Sequence, residues 1–208
     1  MKDSGIIDGE VVKEALLESD GSSVSVLSFG GITKNWTVDF GHKPIPIVLG
    51  FDSLDAYQAD KNFVGIIAGR VANRTQNGRF KLGTIAYQLP INDYPNHLHG
   101  GSSGFGKKNW ELEFDSKNCA VQLHRVSAHL EQGYPGVVDV TVMVRLHNNT
   151  VTYEMSAIPD RPTPINLAQH NYYNLMGKGN IWGHDFESVG KSYTPMNEML
   201  IPTGRISD

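Results

Sequence analysis

The sequence predicts an all-β protein, a sandwich of short antiparallel strands, on three observations. Apolar and polar side chains alternate with a period of two in several separate runs. The 3.6-residue stripe of a long helix is nowhere sustained. Short extended runs are punctuated by 22 glycines and 10 prolines, which suits a sandwich better than a βαβ array.

In chain order, the best helical candidates are two short turns, near Ser53 to Gln58 and Lys61 to Val64, neither with the stripe of a long helix. Arg79 to Leu82, a Gly83-Thr84 break, and Ile85, Tyr87 and Leu89 on one face then predict a hairpin. Trp110, Leu112 and Phe114 alternate with Glu111 and Glu113; Asp115-Ser116-Lys117-Asn118 breaks the run, and Ala120 to Val126 resumes it as a second hairpin. The clearest pattern is at 137–158. Val138, Val140, Val142, Val144 and Leu146 form one face, His147-Asn148-Asn149-Thr150 a turn, and Val151, Tyr153, Met155 and Ala157 the answering face. No repeat, low-complexity tract or linker divides the chain, so residues 1–208 are expected to form one domain.

Composition narrows the function classes. At 208 residues and 39% hydrophobic, the chain can bury a sizeable core. A net charge of −4, with Lys107-Lys108 as the longest basic run, gives no footprint for a phosphate backbone, and nucleic acid is not an expected partner. No apolar stretch approaches the ~20 residues that span a bilayer, and Met-Lys-Asp-Ser-Gly is no secretory leader, so no membrane partner and a cytoplasmic location are expected. Cys119 is the sole cysteine, expected to be a buried structural thiol.

Three polar segments stand out. Gly69-Arg70-Val71-Ala72-Asn73-Arg74 can offer guanidinium forks and a carboxamide to a ligand's hydroxyls; on spacing alone it also reads as a surface turn with solvated arginines. In the run from Pro95 to Lys108, Gly101 to Lys107 spells the start of a phosphate loop, but Lys108 stands where a magnesium-holding Ser or Thr would. His97 and His99 would share one face of a strand as metal ligands, with a third ligand to be found elsewhere, so no metal is expected. The alternative is that His99 projects between glycines that let a ligand approach closely. The third segment, Asn166 to Leu175, sets His170 among amides and tyrosines, where an imidazole suits proton transfer near neutral pH. His42, His97, His124, His129, His147 and His184 read as structural or exposed.

Together these segments resemble the aldose 1-epimerase (galactose mutarotase) family. The resemblance rests on Gly-Arg-Val-Ala-Asn-Arg followed by Asn-Gly-Arg-Phe within 65–80, and on Asn92 with Asn96-His97-Leu98-His99-Gly100-Gly101, Gly104-Phe105 and Trp110. It continues through Asn166-Leu167 with His170-Asn171-Tyr172-Tyr173-Asn174-Leu175, and through Tyr193-Thr194-Pro195 to Ile201-Pro202-Thr203-Gly204. It implies a galactose mutarotase-like β-sandwich (supersandwich) that interconverts the α and β anomers of a free aldohexose by acid/base ring opening and closure. His170 would be the acid at the ring oxygen and His99 the polarising partner at the same atom. Asn73 and Arg74 would anchor sugar hydroxyls and Tyr172 would line the site. No cofactor is implied, because only protons move.

The chain departs from the family pattern in extent, covering roughly the first three-fifths of a family member. The resemblance places an aspartate that binds hydroxyls and the general-base glutamate in later strands, beyond Asp208. The fold is therefore expected to be C-terminally incomplete, with unpaired sheet edges and uncovered apolar faces, open to self-association or to a missing C-terminal segment. Asn197 and Arg205 stand where the pattern has acidic residues. A non-catalytic sugar-binding protein is the alternative reading.

Overall fold

A computed structural model describes every residue of the chain except His42. Five strands, β1 (Lys2–Ile7), β2 (Glu10–Ser19), β3 (Ser22–Leu27), β4 (Thr33–Val38) and β5 (Ile45–Pro46), form an antiparallel meander in that order. After the helix α1 (Leu54–Ala59) come short ribbons: β6 (Ile67–Ala68), β7 (Arg74–Thr75), β8 (Arg79–Leu82), β9 (Ile85–Gln88) and β10 (His97–Leu98). A second meander follows, β11 (Glu111–Asp115), β12 (Ala120–Ser127), β13 (Val138–His147) and β14 (Thr150–Pro159), and β15 (Ala168–Gln169) is the last strand.

The two meanders close on each other through their apolar faces, as the alternation dictates. Val138, Val140, Val142, Val144 and Leu146 of β13 are all buried, against Ala15, Leu17, Val24 and Val26 of the first sheet. Each valine or leucine of this set contributes about 1.5–3 kcal/mol when fully buried. Residues Asn148-Asn149 join β13 to β14 with His147 opposite Thr150, and Asn148 takes the positive φ of 50° that such a tight turn requires. A second cluster, including Ile7, Val12, Phe29, Ile32, Tyr57, Val64, Ile66 and Ala68, lies behind the 65–75 segment.

All three expected hairpins form, as β8–β9, β11–β12 and β13–β14. The face assigned to β9 needs correcting. Leu89 is buried, but Ile85 is exposed, because β8 and β9 form a separate two-stranded ribbon with Ile85 at its turn. The Ser53 turn is α1, with Ser53 Oγ accepting from the Ala56 amide as N-cap. Lys61 to Val64 is not helical. The Asp60 carboxylate takes the Asn62 and Val64 amides at 2.9 and 2.8 Å, and Phe63 lies at φ 61°. Cys119 is half-buried rather than buried, in the turn before β12, and its thiol donates to Glu18 O.

β14 is the outer strand of its sheet, and its inward Val151, Tyr153, Met155 and Ala157 are half-buried. Residues 171–208 are largely exposed, with Trp182, Phe186 and Val189 at 88%, 93% and 99%. No helix among the described residues is long and apolar enough to cross a membrane.

Candidate functional site

The 65–75 segment is the spine on which the site is assembled. On one side β15 pairs with β6, and the backbone of His170 exchanges hydrogen bonds with Ile66 O (2.9 Å) and Gly65 N (3.0 Å). On the other side β10 pairs with β7, and the His99 amide donates to Asn73 O at 3.1 Å. Two histidines 71 positions apart in sequence are thereby brought to a ring-centroid separation of 5.0 Å, with their planes at 89°. Tyr172 joins them 5.3 Å from His170, its hydroxyl donating to Asn62 O.

His99 leaves the strand abruptly. Its φ is 50°, and Gly100, at φ 83°, runs so close to the spine that a Cβ there would lie 1.9 Å from Gly69 O. The backbone therefore turns at the residue after Leu98, which throws His97 and His99 to different places. His97 is wholly buried, its Nδ1 2.6 Å from Pro90 O and its ring edge-on to Tyr134. The shared face expected for a His97/His99 metal pair does not form.

The Asn73 amide donates to Nδ1 of His99 at 3.1 Å. That bond requires a lone pair on Nδ1, so the neutral ring carries its proton on Nε2 and presents an N–H donor. Burial, then the neighbouring His170 and Arg74, push the His99 pKa down to about 4, against a weaker upward pull from Asp93. His99 is therefore a neutral donor at physiological pH.

The two arginines of the spine have opposite fates. Arg74 is half-buried beside the site, its Nε paired with Asp93 Oδ2 at 2.6 Å, and Asn73 is exposed next to it, its Oδ1 accepting from the Arg74 amide. Arg70 is not the solvated turn residue that spacing allows. It is 2% exposed and bonds to Pro135 O, Gly136 O, Ser127 O, Ser127 Oγ and Ala128 O, tying the spine to the second meander. Lys107, the lysine of the phosphate-loop look-alike, instead caps α1 through the carbonyls of Tyr57, Gln58 and Asp60.

The remaining histidines stand apart. His124 bridges Glu111 and Asp139 on the sheet surface, His129 accepts from the Gly136 amide, His184 from the Leu175 amide, and His147 is exposed; His42 is outside the described residues. Phe63 and Asp93 are at the site without any sequence signal. Phe63 stands 4.6 Å from His99 and 6.0 Å from His170. An aromatic residue at positive φ carries about 1–3 kcal/mol of strain, and a local strain of this kind concentrates at functional sites. Among the described residues, no cluster of three or more His, Cys, Asp or Glu could hold a metal ion, and neither imidazole of the pair is bridged to a carboxylate.

Comparison with known proteins adds an independent line. The family model described as aldose 1-epimerase matches residues 13–208. Mouse galactose mutarotase is 40% identical over 202 residues, 96% of this chain and 58% of the relative. An aldose 1-epimerase of Escherichia coli K12 is 32% identical over 74% of this chain and 45% of its own length. Among solved structures, a GalM/aldose epimerase homologue from Caenorhabditis elegans superposes with a TM-score of 0.89 at 28% identity, covering 94% of this chain and 61% of that one. A galactose 1-epimerase from Lactobacillus acidophilus gives 0.84 at 28% identity, covering all of this chain and 61% of that one. The chain thus spans about three-fifths of the length of the mouse, C. elegans and L. acidophilus proteins and has the mutarotase-like β fold of the two solved structures.

Proposed function

Because the chain belongs to the aldose 1-epimerase family, we propose that the His99–His170 pair handles the ring oxygen of a free aldohexose during interconversion of its α and β anomers. In ring opening, the bond from C1 to the ring oxygen breaks, a carbonyl forms at C1, and the proton of the C1 hydroxyl leaves to a base. The ring oxygen takes a proton from the acid form of His170, while the Nε2–H of His99 donates to the same atom. Rotation about C1–C2 and reclosure by the reverse steps give the other anomer. Asn73 and Arg74 bind hydroxyls, with Arg74 aimed by Asp93, and Tyr172 lines the pocket beside His170.

The observation that carries this reading is the Asn73 amide on His99 Nδ1, which gives a neutral imidazole with its donor at Nε2. A correctly placed proton donor is typically worth 10²–10⁴ in rate. A second reading is a sugar-binding protein without turnover, in which Asn73, Arg74 and the imidazole pair hold hydroxyls and no proton is moved. Polarimetry on freshly dissolved α-D-galactose and α-D-glucose separates the two. Decay faster than in buffer, in proportion to protein, supports epimerisation. Buffer-rate decay with saturable sugar binding leaves the second reading.

A further inference from the structure

Phe63 is the feature of the site for which neither the motifs nor the family comparison supplies a role. Its backbone is held at φ 61° from both sides. The Asp60 carboxylate takes the amides of Asn62 and Val64, and the Tyr172 hydroxyl donates to Asn62 O. A bulky aromatic residue is costly in that conformation, and a glycine would occupy it freely. The consequence of the fixed backbone is that the ring meets His99 edge-on at a 60° interplanar angle and lies 6.0 Å from His170.

Resting on the epimerase reading above, we propose that Phe63 is a positioning residue for the reaction: its ring, locked in place by the strained turn, shields the gap between the two imidazoles from water and holds the His99 ring with its Nε2–H available to the sugar. A dry wall has two effects. It keeps His99 neutral, because an imidazolium there would lose hydration, and it strengthens the hydrogen bond that His99 gives. The low pKa of His99 agrees, burial being its largest cause. The charged and titratable groups around His99 are His170 on the β15 side, Arg74 on β7 and Asp93 before β10, with Asp60 and Tyr172 behind Phe63. The first two oppose a charge on His99 and Asp93 favours one; none of them is removed by altering Phe63.

The test is a histidine-resolved NMR titration of the full chain, unmodified and as Phe63→Gly, Phe63→Leu and Phe63→Tyr, with thermal melts alongside. The glycine variant relieves the backbone strain while deleting the wall, and the leucine variant serves if the glycine one does not fold. The expected result is that the His99 midpoint rises by a pH unit or more in the Gly or Leu variant and stays low in the Tyr variant. Folded Gly and Leu variants with an unmoved His99 midpoint would overturn the proposal. The midpoint is read without turnover. A shifted His99 in a chain that fails to accelerate mutarotation would sink the epimerase reading and leave the wall standing; turnover with an unshifted His99 would do the reverse.

Discussion

The backbone amide of Asn73 donates to Nδ1 of His99, so a residue of the Arg-Val-Ala-Asn-Arg spine sets the tautomer of a histidine 26 positions away. At pH 7 the imidazole of His99 should show a protonated Nε2 and a bare Nδ1 in long-range ¹H–¹⁵N spectra. It should also titrate near 4 rather than near 6.5. The stability linkage has a definite sign. Because the folded pKa is depressed, the unfolded chain takes up this proton first as pH falls. His99's contribution is therefore fully present above pH 6.5 and is lost between there and about 4. Melting temperatures of the unmodified chain and His99→Gln should converge across that window.

Arg70 should matter for stability more than its motif neighbour Arg74. Arg70→Met strands the carbonyls of the buried residues Ser127, Pro135 and Gly136, and loss of such a network costs about 3–5 kcal/mol. Arg74→Met breaks one ion pair at a half-exposed position and should cost no more than about 1 kcal/mol. Urea denaturation of the two variants checks the ordering.

Two glycines at similar positive φ should answer substitution differently. At Gly83 (φ 59°) an added Cβ meets nothing within 4 Å, so Gly83→Ala costs only backbone strain, about 1 kcal/mol. At Gly100 (φ 83°) the Cβ would sit 1.9 Å from Gly69 O, and the backbone cannot yield without displacing His99. Gly100→Ala should therefore abolish folding or, if folded, sugar binding; soluble yield and ligand titration distinguish these outcomes.

Glu14 is a buried carboxylate on β2. Burial opposes its ionisation, but hydrogen bonds from Ser25 at 2.5 Å, Ser4 at 2.8 Å and Lys34 at 3.2 Å outweigh it and hold the pKa down to about 2. Its stabilising contribution is present above pH 4.5 and is lost as pH falls through about 2. Glu14→Gln should be less stable at pH 7, and its deficit relative to the unmodified chain should shrink as pH falls from 4.5 towards 2, as followed by circular dichroism.

Much of the fold was legible because its long strands have a period to read. β13 alternates over ten residues and the structure buries every second one. β2 is harder, since the buried set Val12, Glu14, Ala15 and Leu17 changes phase at Glu14 and includes a charge that only its serine and lysine partners explain. The two-residue strands that build the site, β6, β7, β10 and β15, are too short to have a period at all. Motif resemblance singled out His99 and His170 but could not show that Arg70 faces the second meander and Arg74 the site, because both read as arginines in a small-residue run. Phe63 gave no signal, since its place depends on the Asp60 carboxylate overriding the helical tendency of Lys61 to Val64.

The acid role of His170 is the centre of the account, and mutarotation itself tests it most directly. The rate of α-to-β exchange of D-galactose should be measured for the unmodified chain and for His170→Asn, with sugar binding verified for both. A fall of about a hundredfold or more in turnover with the fold retained is the predicted result. Equal, protein-dependent rates for the two chains would contradict it.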